Sequence, residues 1–196
     1  MRVLVACEFS QTVTNAFIQQ GHDAVSCDLL PTWGNPVYHI QGDVEQYLDE
    51  GWDLMIAHPP CTYLANSGVC WLHKDKERWN KMVSAALFFK RLLLADIMHI
   101  CVENPIMHKY AVSIIGRRQD QVIQPWMFGH GETKATCLWL ENLPILQPTN
   151  IVSGREQRLH RLPPSPDRAK LRSITYPGIA EAMATQWGTI TEREKQ

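Results

Sequence analysis

The sequence predicts a doubly wound α/β domain: a mostly parallel sheet with helices on both faces, three layers in all. Three observations carry this. Short apolar runs alternate with helix-patterned segments at a spacing that suits β-α-β crossovers. Two of those runs close on reactive strings, His58-Pro59-Pro60-Cys61 and Glu103-Asn104-Pro105, and open α/β sheets place their chemistry at strand ends. The chain also has 196 residues, 45% of them apolar, enough for one domain with a sizeable core and too apolar for disorder.

Each element follows from its local pattern. Arg2 to Cys7 reads as a short buried strand, and Ser10 as the cap of a helix over Thr12 to Gln20 that stops at Gly21. Asp23 to Asp28 reads as a second strand closing on an acid. After a loop with proline and glycine, Tyr38-His39-Ile40 leads into Gly42-Asp43-Val44, with a short helix over Val44 to Asp49. Trp52 to Ala57 is the strand before Pro-Pro-Cys. Lys76 to Leu94 is an amphipathic helix with Trp79, Met82, Val83, Ala86, Leu87 and Leu93 at helical spacing, and Ile97 to Val102 is the next strand. Beyond residue 105, Val122 to Gln124 and Thr136 to Leu140 read as strands, 144–168 as a proline- and arginine-rich loop, and Ile179 to Trp187 as a closing helix. No linker divides the chain, so residues 1–196 are expected to form a single domain.

Composition narrows the classes. The net charge of −1 does not mark the whole molecule as a polyanion binder. No apolar run reaches the ~18 residues of a membrane span, and no leader pattern is visible, so the expectation is a soluble cytoplasmic protein without a membrane partner. The six cysteines form no C-x-x-C pair, which argues against a structural zinc site and against a disulfide framework; no metal is expected.

The candidate chemistry sits at strand ends. Cys61 follows two prolines that fix the backbone before it, and a thiol is the best free nucleophile at neutral pH. Glu103 ends a strongly apolar strand, where burial would raise its pKa and suit it to act as an acid, with Asn104 placed to orient it. Asp28 and Asp43 close the second and third strands, where a nucleoside-binding fold has its ribose and adenine contacts; aspartates there also serve turns and caps. Glu8 could meet a positive charge or an amine of a ligand, or stand as an ordinary strand-end glutamate. The loop Cys7-Glu8-Phe9-Ser10-Gln11 lacks the glycines of a dinucleotide fingerprint, which counts against NAD. The segment 151–176 carries a local charge of +4 and clusters Arg155, Arg158, Arg161, Arg168 and Arg172, which suit phosphate contacts or a solvated loop.

Taken in order, these strings resemble the DNA cytosine-5 methyltransferases. Pro59-Pro60-Cys61 is similar to the family's catalytic Pro-Pro-Cys, Glu103-Asn104-Pro105 to its Glu-Asn-Val, Gly42-Asp43-Val44 to its adenine-contacting turn, and Asp28 to its ribose-binding acid. The chain most resembles the small phage- or prophage-type members, through Met1 to Ser10, Thr133 to Leu140 and Tyr176 to Ala180. The resemblance implies a Rossmann-like methyltransferase fold, S-adenosylmethionine as cofactor and DNA as partner. It implies Cys61, Glu103 and Asn104 as catalytic residues, and Glu8, Phe9, Ser10, Asp28, Asp43, Val44 and Pro59 around the cofactor. It also implies that residues 141–175 stand in place of a full target-recognition domain, which leaves room for a homodimer.

The implied mechanism runs through Cys61. Its thiolate, with a pKa lowered toward neutral, adds to cytosine carbon-6 and makes carbon-5 nucleophilic. Protonated Glu103 donates to ring nitrogen-3, and a methyl passes to carbon-5. The chain departs from the family at three points: Ser10 and Gln11 replace the first loop's glycines, His58 stands where glycine usually precedes Pro-Pro, and Gln157-Arg158-Leu159-His160-Arg161 only loosely matches a Gln-x-Arg-x-Arg strand. Two further readings stay open: a catalytically inactive nucleic-acid-binding protein of the same fold, and a related enzyme acting on free pyrimidine nucleotides.

Overall fold

A computed structural model describes residues 1–190. Seven strands form one sheet: β1 (Arg2–Ala6), β2 (Asp23–Asp28), β3 (His39–Gln41), β4 (Leu54–Ala57), β5 (His99–Asn104), β6 (Gln121–Ile123) and β7 (Thr136–Glu141). Their order across the sheet is β3-β2-β1-β4-β5-β7-β6. Neighbours from β3 to β5 pair in parallel, and β7 runs antiparallel to both β5 and β6. The fold is therefore the doubly wound, mostly parallel α/β sheet that the sequence predicts.

Helices α1 (Thr12–Gln19) and α5 (Pro177–Trp187) cover one face, and α2 (Lys76–Leu93) and α3 (Lys109–Ile115) the other. Alternation along β1 divides its side chains between them: Val3 and Val5 enter the α1/α5 core, Leu4 and Ala6 the α2/α3 core. All four residues of β4 are buried, as expected of a central parallel strand covered on both sides. Strand order reverses between β1 and β4, so the crevice at the carboxyl ends of these strands is the switch point where such sheets bind ligands. No described helix is long and apolar enough to cross a membrane.

Several local expectations are corrected. Ser10 is not the N-cap of α1: Gln11 occupies that position in the left-handed region, Ser10 Oγ accepts from one backbone amide only, Thr12 N at 3.4 Å, and the Glu8 carboxylate accepts from Val13 N and Thr14 N. The helix expected over Val44 to Asp49 is only a 3-10 turn, Val44–Gln46. In α2 the buried face holds Met82, Ala86, Phe89, Leu92 and Leu93, whereas Val83 and Leu87 point outward at 38% and 43% exposure. The sequence pattern gives no sign of helix α3 or of α4 (Arg168–Ser173), which begins at the last residue of the segment 144–168 expected to be loop. That segment is also tied down: isolated bridges join Phe128 to Asn150 and Glu132 to Glu156.

Candidate active site

The register of the central strands builds the reactive half of the site. Ala57 of β4 lies opposite Val102 of β5, so the next residues along, His58 and Glu103, are neighbours. His58 Nδ1 is 2.8 Å from Glu103 Oε2, with side chains only 9% and 10% exposed. His58 Nε2, on the other side of the ring, is buried without a partner. Asn104 is buried and donates from Nδ2 to the Pro59 carbonyl at 2.9 Å, which ties the Pro-Pro turn to β5. Its Oδ1 is also buried and unpartnered. Cys61 follows on the exposed end of that turn, where its carbonyl accepts from Leu64 and Ala65. The strings singled out in the sequence thus converge at the ends of β4 and β5.

The electrostatics differ from expectation for both reactive groups. Burial pushes Glu103 upward, but the hydrogen bond from His58 and the charges of Lys134 and His58 outweigh it, and the carboxyl is held below its ordinary value. The anticipated rise does not occur. The Cys61 thiol is not lowered either. Desolvation by surrounding protein, then the Glu103 charge, push it up, against weaker opposing pulls from a backbone amide of its own turn, Lys134 and Arg172. The residue as a whole is exposed on the turn, while its thiolate is disfavoured.

A small pocket beside Glu103 is lined also by Lys134, Thr136, Thr175, Tyr176, Ile179 and Met183. Lys134 Nζ donates to the Ile174 carbonyl at 3.1 Å, which anchors this ammonium close to the carboxylate. Only the Thr133-to-Leu140 resemblance drew attention to this stretch; no local pattern marked Lys134, because its neighbours come from β5 and the α4–α5 junction.

The other half of the site gathers at the ends of β1, β2 and β3. Cys7 and Gln11 both adopt left-handed backbone, at φ 59° and 58°, without being glycine. The loop between them turns the Glu8 carboxylate under α1, where it accepts from Val13 N at 2.7 Å, Thr14 N at 3.2 Å and Thr14 Oγ1 at 2.7 Å. Ser10 Oγ donates to Glu8 Oε1 at 3.3 Å. Phe9 is buried edge-on against Trp33, 4.9 Å between ring centres. Asp28 accepts from Leu30 N at 2.8 Å and Asp43 from Glu45 N at 3.1 Å, so both serve turns; each uses one carboxylate oxygen, and among the described residues the second has no partner. Val44 is buried beneath this rim and Pro59 beneath the neighbouring turn. A second small pocket is bounded by Cys7, Glu8, Phe9, Ser10 and His58, with Ser173, Ile174 and Thr175 across it. His58 therefore stands between the two halves.

The arginines divide. Arg158 pairs with Glu132 at 3.0 Å, and Arg155 stacks on Trp126 with its guanidinium 3.9 Å from the ring centre. Arg168 reaches the His160 carbonyl at 3.4 Å. Arg161 and Arg172 are exposed with no side-chain hydrogen bond among the described residues, and Arg172 is the one whose charge is felt at Cys61.

The donor set fits a nucleoside-type cofactor. Acids with an uncommitted oxygen stand at the ends of β2 and β3, and an orphaned buried imidazole nitrogen stands at the end of β4.

No family model and no curated protein sequence matches this chain. Among solved structures, it is similar to a protein assigned as a DNA modification methyltransferase encoded within an E. coli prophage, at 13% identity and a TM-score of 0.48 over 76% of this chain and 51% of that one. It is similar also to a methyltransferase of Entamoeba histolytica, at 14% identity and a TM-score of 0.49 over 79% of this chain and 57% of that one. The chain thus spans a little over half the length of these neighbours. Neither likeness assigns a residue role or a substrate here.

Proposed function

We propose that this protein is an S-adenosylmethionine-dependent methyltransferase acting on carbon-5 of cytosine in DNA, by way of a covalent Cys61 adduct. The observation that carries the reading is the convergence of an exposed Cys61 with the buried His58–Glu103 pair at adjacent strand ends beside the switch point. Phe9, Ser10, Asp28, Asp43, Val44 and Pro59 surround the place where the cofactor would be held, and Glu8 supports it from beneath by holding the α1 amides; the cofactor would contribute an electrophilic methyl group. Phe9 and Val44 supply apolar surface, Asp28 and Asp43 their free carboxylate oxygens.

In the reaction, Cys61 loses its thiol proton to solvent, the thiolate sulfur bonds to carbon-6, and the ring electrons move toward nitrogen-3 and carbon-5. Glu103 donates a proton to nitrogen-3 and becomes a carboxylate whose charge Lys134 offsets. Asn104 holds the Pro59 carbonyl and so the direction of the thiol. Lys134 and Arg172 offset the negative charge that gathers around sulfur and carboxylate. After methylation a water takes the carbon-5 proton, the sulfur–carbon bond breaks with its electron pair returning to the Cys61 thiolate, and the nitrogen-3 proton returns to Glu103. In a duplex the base must leave the stack, and residues 141–175, with Arg161 and Arg172 unpaired, offer phosphate contacts that offset this cost.

The test is trapping with DNA containing 5-fluorocytosine in the presence of S-adenosylmethionine. Fluorine at carbon-5 blocks the final elimination, so a denaturant-stable protein–DNA band is expected for the wild type and not for Cys61→Ala. DNA binding without any covalent band would favour an inactive binding protein, and trapping only on a free fluorinated nucleotide would favour the nucleotide-level enzyme.

A further inference from the structure

The His58 ring joins the two halves of the site. Nδ1 lies 2.8 Å from Glu103, which lines the pocket with Lys134, while His58 is also among the residues lining the pocket at the β1 end with Cys7 to Ser10. Nε2 is buried and makes no hydrogen bond among the described residues. With Glu103 ionised, the ring needs its proton on Nδ1, and Nε2 then presents a bare lone pair.

Resting on the methyltransferase reading above, we infer that His58 is a positioning residue that couples ligand occupancy of the β1-end pocket to protonation of the His58–Glu103 pair, so that binding the cofactor loads the acid. A ligand acceptor brought to Nε2 needs an N–H there, and the carboxylate of S-adenosylmethionine is such an acceptor. Nδ1 can then accept an O–H from Glu103, or keep its own proton as imidazolium beside the carboxylate. In either form the pair holds one proton more than before, and that proton comes from solvent. In both forms the pair holds the proton that nitrogen-3 requires. The coupling also answers a difficulty in the free protein, where Glu103 is held in its ionised state.

The pair is faced by buried thiols and by fixed charges. Cys61 follows it on the turn after β4, and Cys101 on β5 and Cys137 on β7 are thiols pushed upward by burial and by Glu103 itself. Lys134 supplies a fixed positive charge. Across the β1-end pocket stand Cys7, whose thiol burial pushes far upward, and Glu8, whose carboxylate is bound to the α1 amides.

The experiment is calorimetric titration of S-adenosylmethionine into the full chain at about pH 8, in phosphate and in Tris, whose ionisation enthalpies differ. The wild type should take up about one proton per cofactor bound. His58→Asn keeps a donor toward Glu103 but has nothing at the Nε2 position; it should bind about tenfold more weakly and take up no proton. Glu103→Gln, isosteric and neutral, should bind and take up none. Wild-type binding without proton uptake, or equal uptake by His58→Asn, overturns the coupling and leaves the methyltransferase reading standing. No binding by folded wild type removes that reading and the coupling together.

Discussion

Glu8 offers a sharp test, because the sequence left it between a ligand contact and an ordinary glutamate, and the structure gives it a different task. Its carboxylate accepts from Val13 N, Thr14 N and Thr14 Oγ1 and is itself only 4% exposed. In Glu8→Ala those donors stay buried and lose a charged acceptor at a helix N-terminus. Loss of an N-cap costs about 0.5–2 kcal/mol, and stranding donors that bonded to a charged group adds a comparable amount, so the expected loss is roughly 2–4 kcal/mol. For a domain of this size that is a fall in Tm of roughly 6–12 °C. Glu8→Gln keeps one acceptor but turns an amide donor toward the second helix N–H, so it should fall between. Urea denaturation reads both variants, with the slope unchanged if the unfolded state is unaffected. A Glu8→Ala variant within about 1 kcal/mol of wild type would refute the capping assignment. It would return Glu8 to the ligand-facing role.

Two further outcomes follow from the electrostatics. Because Glu103 raises the Cys61 thiol and Lys134 lowers it, alkylation of Cys61 by iodoacetamide at neutral pH should be faster in Glu103→Gln and slower in Lys134→Met, read by mass spectrometry of the Cys61 peptide; unchanged rates in both would dismiss the assigned causes. In DNA binding, Arg161→Ala and Arg172→Ala should each flatten the dependence of log K on log salt by about 0.9, whereas Arg158→Ala, removing the partner of Glu132, should leave the slope near that of wild type; four equivalent arginines, Arg155 included, would contradict the division seen here.

What the sequence disclosed, and what it hid, follows from the range of each interaction. The runs forming β1 and β4 are legible because a doubly covered parallel strand needs continuous apolar residues. The end of β5 is legible because a carboxylate after such a run is conspicuous. Helix α2 is legible as a helix but not in its facing, since Phe88, Phe89, Leu92 and Leu93 spread apolar surface around its last turns, and only packing against Trp139 chose Phe89. Helix α3 has seven residues, fewer than the pattern needs, and its cap is the ring of His108, outside the usual set. Glu8 reaches the α1 amides only because Cys7 and Gln11 bend into the left-handed region without glycine. The His58–Glu103 contact spans 45 residues, yet it follows from register once β4 and β5 are set side by side. A strand's own residues do not say which strand lies beside it, so the contact is invisible to local pattern.

Four buried side-chain polar atoms lack a partner among the described residues, and two of them, His58 Nε2 and Asn104 Oδ1, lie in the strings at the ends of β4 and β5. Each such atom costs about 1–3 kcal/mol that a purely structural arrangement would avoid. The His58–Glu103 pair belongs to the same argument, since burying a carboxylate and an imidazole together gains little over apolar side chains of similar size. Removing one partner is a different matter. His58→Phe leaves a buried carboxylate facing an apolar ring, and Glu103→Leu leaves a second imidazole nitrogen unbonded, so each single change should destabilise, the first by about 3 kcal/mol or more. The double variant His58→Phe/Glu103→Leu should recover most of that loss, and stability at or above wild type is within the range for replaced buried pairs. Urea denaturation of the four proteins closes the cycle, and losses that simply add would show that the pair is not coupled. If the double variant folds as well as wild type yet forms no adduct with fluorocytosine DNA, the pair is retained for chemistry rather than for the fold.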